Sequence, residues 1–141
     1  MTVTEEPLDD AEIGGRRFDN GYDLTPAEKK FVGLHLTVAF TALMIGSFFG
    51  PLQSLEFGGA DLYPYLEPVI KSYYQGLTLH GVLNALVFTT IFITGFSTLT
   101  TIKGLGRPLA KPMLNKIGFG TSIVGLVMTS IPILLDKATV L

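Results

Sequence analysis

The chain has 141 residues, 48% of them hydrophobic and 16% charged, with a mean hydropathy of +0.46. A soluble domain carries about 25% charged residues, so this composition points to an integral membrane protein. Cysteine is absent, which excludes disulfides, thiolate metal sites and a cysteine nucleophile, and His35 and His80 are the two imidazoles. The net charge of -2 is unevenly placed, eight of the twelve acidic residues preceding Phe31, and no basic stripe of the kind that tracks nucleic acid is present.

Residues 1–28 are polar and acid-rich with no sustained apolar period, which predicts a cytoplasmic tail that packs little. They lack the basic start and apolar core of a signal peptide. Thr25-Pro26-Ala27-Glu28 combines a capping threonine, a proline at the first helical position and a glutamate at the third, so a helix is expected to start there. Residues 31–49 are uncharged, and Gly50-Pro51 is expected to end or kink the segment. Between Lys71 and Lys103 lie 31 residues without Asp, Glu, Lys or Arg, more than the roughly 20 needed to cross a bilayer. A third uncharged run, residues 117–135, follows a loop rich in Gly and Pro. The expected fold is all-α: a segment 29–141 of three antiparallel transmembrane helices spanning about 30–52, 73–101 and 114–135.

Basic residues set the orientation. Arg16, Arg17, Lys29 and Lys30 precede the first span, and Lys103, Arg107, Lys111 and Lys116 occupy the second connection, against Lys71 and Lys137 on the other side. The N-terminus is therefore expected inside, and Tyr63, Tyr65, Tyr73 and Tyr74 form an outer interfacial belt. Small residues recur at helical spacing, Ala39, Ala42, Gly46 and Gly50 in the first span and Gly118, Ser122, Gly125 and Thr129 in the third; such stripes let helices approach closely in lipid.

An ionisable group inside a span is a functional-site candidate by default. His80 is one, in Gly76-Leu77-Thr78-Leu79-His80-Gly81-Val82-Leu83-Asn84, with small residues one turn before it and beside it and an amide one turn after. These flanks suit a haem ligand, since neutral imidazoles on membrane helices hold haem iron. They suit equally an interfacial histidine bonded to water or to a helix carbonyl. His35 enters from the opposite surface, and at about 1.5 Å per residue the two imidazoles stand roughly 15–20 Å apart along the membrane normal, whereas two ligands of one iron need nitrogens about 4 Å apart. A six-coordinate haem on His80 therefore needs a second ligand from elsewhere, and His35 reads as structural. No span contains Asp or Glu, so no carboxylate proton relay is encoded within the bilayer. The threonines of the second span are expected to bond to carbonyls one turn earlier.

The stretch from Ser72 to Ala85, Ser-Tyr-Tyr-Gln-Gly-Leu-Thr-Leu-His-Gly-Val-Leu-Asn-Ala, closely resembles the second transmembrane helix of subunit I of B-type haem-copper oxygen reductases, the ba3-type cytochrome c oxidases. Collinear resemblances follow in Ile45-Gly46-Ser47-Phe48-Phe49-Gly50-Pro51-Leu52-Gln53, Asp61-Leu62-Tyr63-Pro64 and Lys137-Ala138-Thr139-Val140-Leu141. The resemblance implies that His80 is an axial ligand of low-spin haem b, which takes electrons from a copper centre in subunit II on the outer side. Ser47, in the matching Gly-Ser stretch, is a candidate to hold the ring through its other nitrogen. The parent reaction implied is electron transfer from cytochrome c or a similar one-electron donor to oxygen, reduced to water, with proton pumping, in a prokaryotic plasma membrane.

Family subunit I has a dozen or more helices. Its second haem b ligand, high-spin haem ligand and copper ligands have no counterparts in a chain with two histidines and three spans. The chain is therefore expected to be an N-terminal fragment or split-gene piece, a partial subunit I bundle that is inactive alone and completed by the remainder of subunit I. Two other readings stay open: a self-standing dimeric haem b electron-transfer protein, and a structural accessory subunit without haem.

Overall fold

A computed structural model describes residues 22–67 and 69–137. Most of the expected acidic tail, and residues 138–141 of the C-terminal resemblance, lie outside the described residues.

Helix α1 runs Pro26–Phe57. Its start is the capping box: Glu28 N–H donates to Thr25 Oγ1 at 3.3 Å, and Thr25 N–H donates back to Glu28 Oε2 at 2.9 Å. At about 1.5 Å per residue its 32 residues reach roughly 48 Å, longer than the roughly 30 Å hydrocarbon layer, so its ends stand beyond the apolar zone. The helix does not end at Gly50-Pro51 but continues through it to Phe57. Pro51 takes away the N–H that would bond the Ser47 carbonyl, a loss that membrane helices tolerate through local adjustment; nearby, Ser54 Oγ donates to the Gly50 carbonyl at 3.2 Å.

A connection containing a 3₁₀ turn at Tyr63–Tyr65 leads to α2, Tyr73–Leu105. Ser72 caps it, its hydroxyl accepting from Gln75 N–H at 3.1 Å. Within α2 the residues Val82–Phe88 form a π-helical segment, beginning two positions after His80. Gly106, at φ +60°, closes the helix in the left-handed conformation that glycine adopts without steric cost, its N–H reaching the Ile102 carbonyl at 3.0 Å. Helix α3, Pro112–Leu134, starts on a proline whose missing N–H needs no partner there. Each of the three helices is long and apolar enough to cross a membrane, and their short connections make neighbours antiparallel. Among the described residues there is no strand.

The core is the seam between α1 and α2. On α1 the buried positions are Val32, His35, Ala39, Ala42, Gly46, Phe49 and Gln53, alternating steps of three and four residues, the spacing of a left-handed helix crossing. Ile91, Gly95 and Ile102 meet the lower half of that stripe and Gln75, Gly76 and Leu79 the upper half. Helix α3 packs more loosely: Ile133 is its one buried residue, and Gly118, Ser122, Gly125 and Thr129 are exposed. Three of those small residues line a cleft of about 190 Å³ against Val87 and Ile91 of α2.

Candidate functional site

His80 sits where α2 crosses the glycine-bearing face of α1. Its Nδ1 donates to the Gly46 carbonyl at 2.8 Å. The ring edge lies over Gly50, where an added Cβ would stand 3.2 Å from His80 Cε1. Gly50 leaves room for the imidazole, while Gly46 leaves room for Asn84 and Leu83, which a Cβ there would overlap. Asn84 Nδ2 lies 3.3 Å from the same Nδ1, so both polar contacts of the ring fall on one nitrogen, and Nε2 is uncommitted among the described residues. The side chain is half-buried, and Gly81 beside it faces open space. Chemically this is an imidazole held through its Nδ1–H, with no described partner at Nε2 and open space beside it at Gly81.

The turn above His80 is locked by polar contacts from three directions. Gly76, one turn earlier, meets Tyr63 and Gln53 so closely that a Cβ there would overlap both. The Gln53 side chain and the Tyr63 hydroxyl are hydrogen-bonded. In the amide orientation that satisfies both ends, Gln53 Oε1 also accepts from Leu77 N–H at 3.1 Å while Nε2 donates to the Tyr73 carbonyl at 3.2 Å. Burial raises the Tyr63 hydroxyl above its ordinary pKa, so it stays protonated in this contact. Gln75, fully buried, accepts from Lys71 N–H at 2.7 Å and donates to the carbonyls of Ile133 at 2.9 Å and Leu134 at 3.2 Å. It thereby joins the start of α2 to the end of α3, giving the Leu134 carbonyl a donor and adding one to the Ile133 carbonyl, which also accepts from Asp136 N–H at 3.1 Å.

The opposite end of the bundle holds a separate polar cluster. Glu28 Oε2 accepts from the Tyr22 hydroxyl at 3.1 Å and Glu28 Oε1 from Leu109 N–H at 3.2 Å, while Lys103 Nζ donates to the Tyr22 carbonyl at 3.0 Å. These bonds tie the start of α1 to the α2–α3 connection.

The structure keeps the two histidines apart. His35 is buried between Phe31 and Phe119, with ring centroids at 4.4 and 4.3 Å, and its Nδ1 donates to the Phe31 carbonyl at 3.0 Å. It lies eleven positions before Gly46 on α1, about 16 Å along the axis. Ser47 is exposed, and the bond to the His80 ring comes instead from the carbonyl of its neighbour Gly46. Among the described residues no group of three or more His, Asp or Glu side chains converges, so this chain offers a metal a single donor rather than a cage.

Three participants lie outside the sequence reading of the site. The Gly46 carbonyl is backbone, which carries no residue-type signature; the signal was the small-residue stripe at the depth of His80. Gln75 stands in a matching stretch, and a glutamine inside an apolar run needs partners. The π-helical segment has no marker beyond the single polar side chain of Asn84.

A profile of the family described as Cytochrome C and Quinol oxidase polypeptide I matches residues 30–141. Over 124 residues, 85% of this chain, the sequence is 43% identical to "Cytochrome c oxidase subunit 1" of Thermus thermophilus. The match spans 22% of that relative, so the chain covers about a fifth of its length. The chain belongs to the cytochrome c and quinol oxidase polypeptide I family.

Proposed function

We propose that this chain is the N-terminal portion of subunit I of a B-type, ba3-like terminal oxidase, and that His80 is an axial ligand of its low-spin haem b. The observation that carries the reading is the bond from His80 Nδ1 to the Gly46 carbonyl, because a histidine that binds metal through Nε2 is held and made more basic by an acceptor on its other nitrogen. The open space beside the ring at Gly81 fits the approach of a flat macrocycle. Bound there, haem b supplies a one-electron relay. The chain's own contribution is to fix the imidazole plane, to keep its proton on Nδ1, and to wall the α1 side against water.

The second haem b ligand, the high-spin haem and the copper ligands then come from the remainder of subunit I. Electrons arrive from cytochrome c or a similar donor by way of the copper centre of subunit II, oxygen is reduced to water, and protons are pumped outward. The three helices lie in a prokaryotic plasma membrane with the acidic tail cytoplasmic and His80 toward the outer face, as the distribution of Lys and Arg supports. The 141-residue chain alone reduces no oxygen.

The test is His80→Ala in the assembled full-length oxidase. The reduced-minus-oxidised spectrum is expected to lose the low-spin haem b band and with it electron delivery to oxygen. A wild-type haem b band in that variant contradicts the assignment.

A further inference from the structure

Asn84 is the one described residue with a buried side-chain polar atom that finds no partner: its Oδ1 is enclosed and unbonded while its Nδ2 points at His80 Nδ1 from 3.3 Å. That arrangement conflicts with the rest of the site. The Gly46 carbonyl 2.8 Å from Nδ1 can only accept, so Nδ1 carries the proton, and an amide NH₂ aimed at an N–H places donor against donor. Oxygen and nitrogen of an amide are interchangeable in shape and are assigned by their hydrogen bonds. Exchanging them here puts Oδ1 on the Nδ1–H as a second acceptor, with Nδ2 taking the enclosed position.

The surroundings are built for this amide. A Cβ on Gly46 would overlap Asn84 Oδ1 and stand 2.8 Å from Asn84 Cγ, so the same glycine that lends its carbonyl to the ring also makes room for the asparagine. Asn84 lies in the π-helical segment Val82–Phe88, and the Thr89 hydroxyl donates to the Asn84 carbonyl at 3.2 Å across the widened turn. Widened turns of this kind concentrate at functional sites.

From this geometry we propose that Asn84 is a positioning residue for His80: its Oδ1 shares the Nδ1–H with the Gly46 carbonyl, fixing the ring plane and raising the electron-donor strength of Nε2. The inference rests on the haem-ligand reading of His80. Stronger donation stabilises the oxidised iron, so the Asn84 contact lowers the reduction potential of the haem on His80.

The experiment is a redox titration of haem b in the assembled full-length oxidase carrying Asn84→Leu or Asn84→Asp, with the low-spin ferric EPR spectrum recorded on each. Leu has nearly the same volume and accepts nothing, so the potential is expected to rise and the g values to move as the ring loosens. Asp offers a stronger acceptor at the same place, so the potential is expected to fall. Opposite signs support the proposal; wild-type potentials in both variants, or shifts of the same sign, overturn it. If Asn84→Leu does not assemble, the sign in Asn84→Asp decides alone. Retention of haem b in His80→Ala refutes the underlying ligand reading, an outcome separate from unshifted potentials at Asn84 with haem b present.

Discussion

Gly46, His80 and Gln75 show three different ways in which one residue bears on the site. Gly46 acts through what it lacks and through its backbone oxygen, His80 through one ring nitrogen, and Gln75 through an amide that joins two helices. His80 was visible in the sequence because an imidazole in a charge-free run stands out chemically. The acceptor on its ring was not, because a carbonyl belongs to every residue, and the neighbouring hydroxyl of Ser47 drew the inference one position too far along α1. At this scale Gln75→Leu is expected to remove the side-chain donor from the Ile133 and Leu134 carbonyls, of which Ile133 keeps the Asp136 N–H, and to leave Lys71 N–H without its acceptor. Interhelical hydrogen bonds in membranes are worth about 0.6 kcal/mol on average and up to about 1.7, so the loss is about 1 to 2 kcal/mol. Thermal unfolding of the variant in detergent is expected to show a lowered midpoint with the haem b spectrum unshifted; an unchanged midpoint would show that the amide bonds carry no net stability.

The helices were legible because charge-free length is a direct requirement of the bilayer, and the start of α1 was legible because Thr25, Pro26 and Glu28 each satisfy a distinct need of a helix N-terminus. Two features were not. Proline at position 51 was expected to stop or bend the helix, yet α1 continues to Phe57, since one lost N–H can be offset locally. The π-helical segment of α2 carries a single polar residue, Asn84, among apolar ones, too little to mark a change of phase, so periodicity offered no warning. At Gly95 in the α1–α2 seam a Cβ would stand 2.5 Å from His35 Cβ. Both atoms are fixed to backbone, so neither rotates aside and the helices themselves must part. Gly95→Ala is expected to cost about 1 to 3 kcal/mol, the usual penalty for overpacking. The measurable consequence is less assembled oxidase per membrane. The protein that does assemble keeps its haem b spectrum, because position 95 is fifteen residues, about 22 Å, from His80; a shifted spectrum would refute that separation.

Across the whole molecule, burial is lopsided. α1 and α2 share a continuous seam, whereas Met128, Val124 and Ile131 of α3, and Met44 and Phe48 of α1, are exposed apolar side chains that need lipid or further helices around them. Such surfaces accord with a chain that spans 22% of the length of its relative. The proposed orientation rests on the distribution of Lys and Arg, and the absence of cysteine from these 141 residues lets introduced cysteines report on it. Single cysteines at the exposed positions Glu67 and Arg107 are expected to differ toward a membrane-impermeant maleimide added to intact cells, with Glu67→Cys labelled and Arg107→Cys protected. The reverse pattern would invert the proposed topology and place His80 near the inner face.

The central claim is that His80 Nε2 holds the iron of haem b, and the most direct measurement removes that ring and gives it back. In assembled oxidase carrying His80→Gly, the low-spin haem b signal is expected to be lost and then restored by millimolar imidazole, which fits the space the side chain vacates. A low-spin spectrum that is unchanged without imidazole would contradict the account.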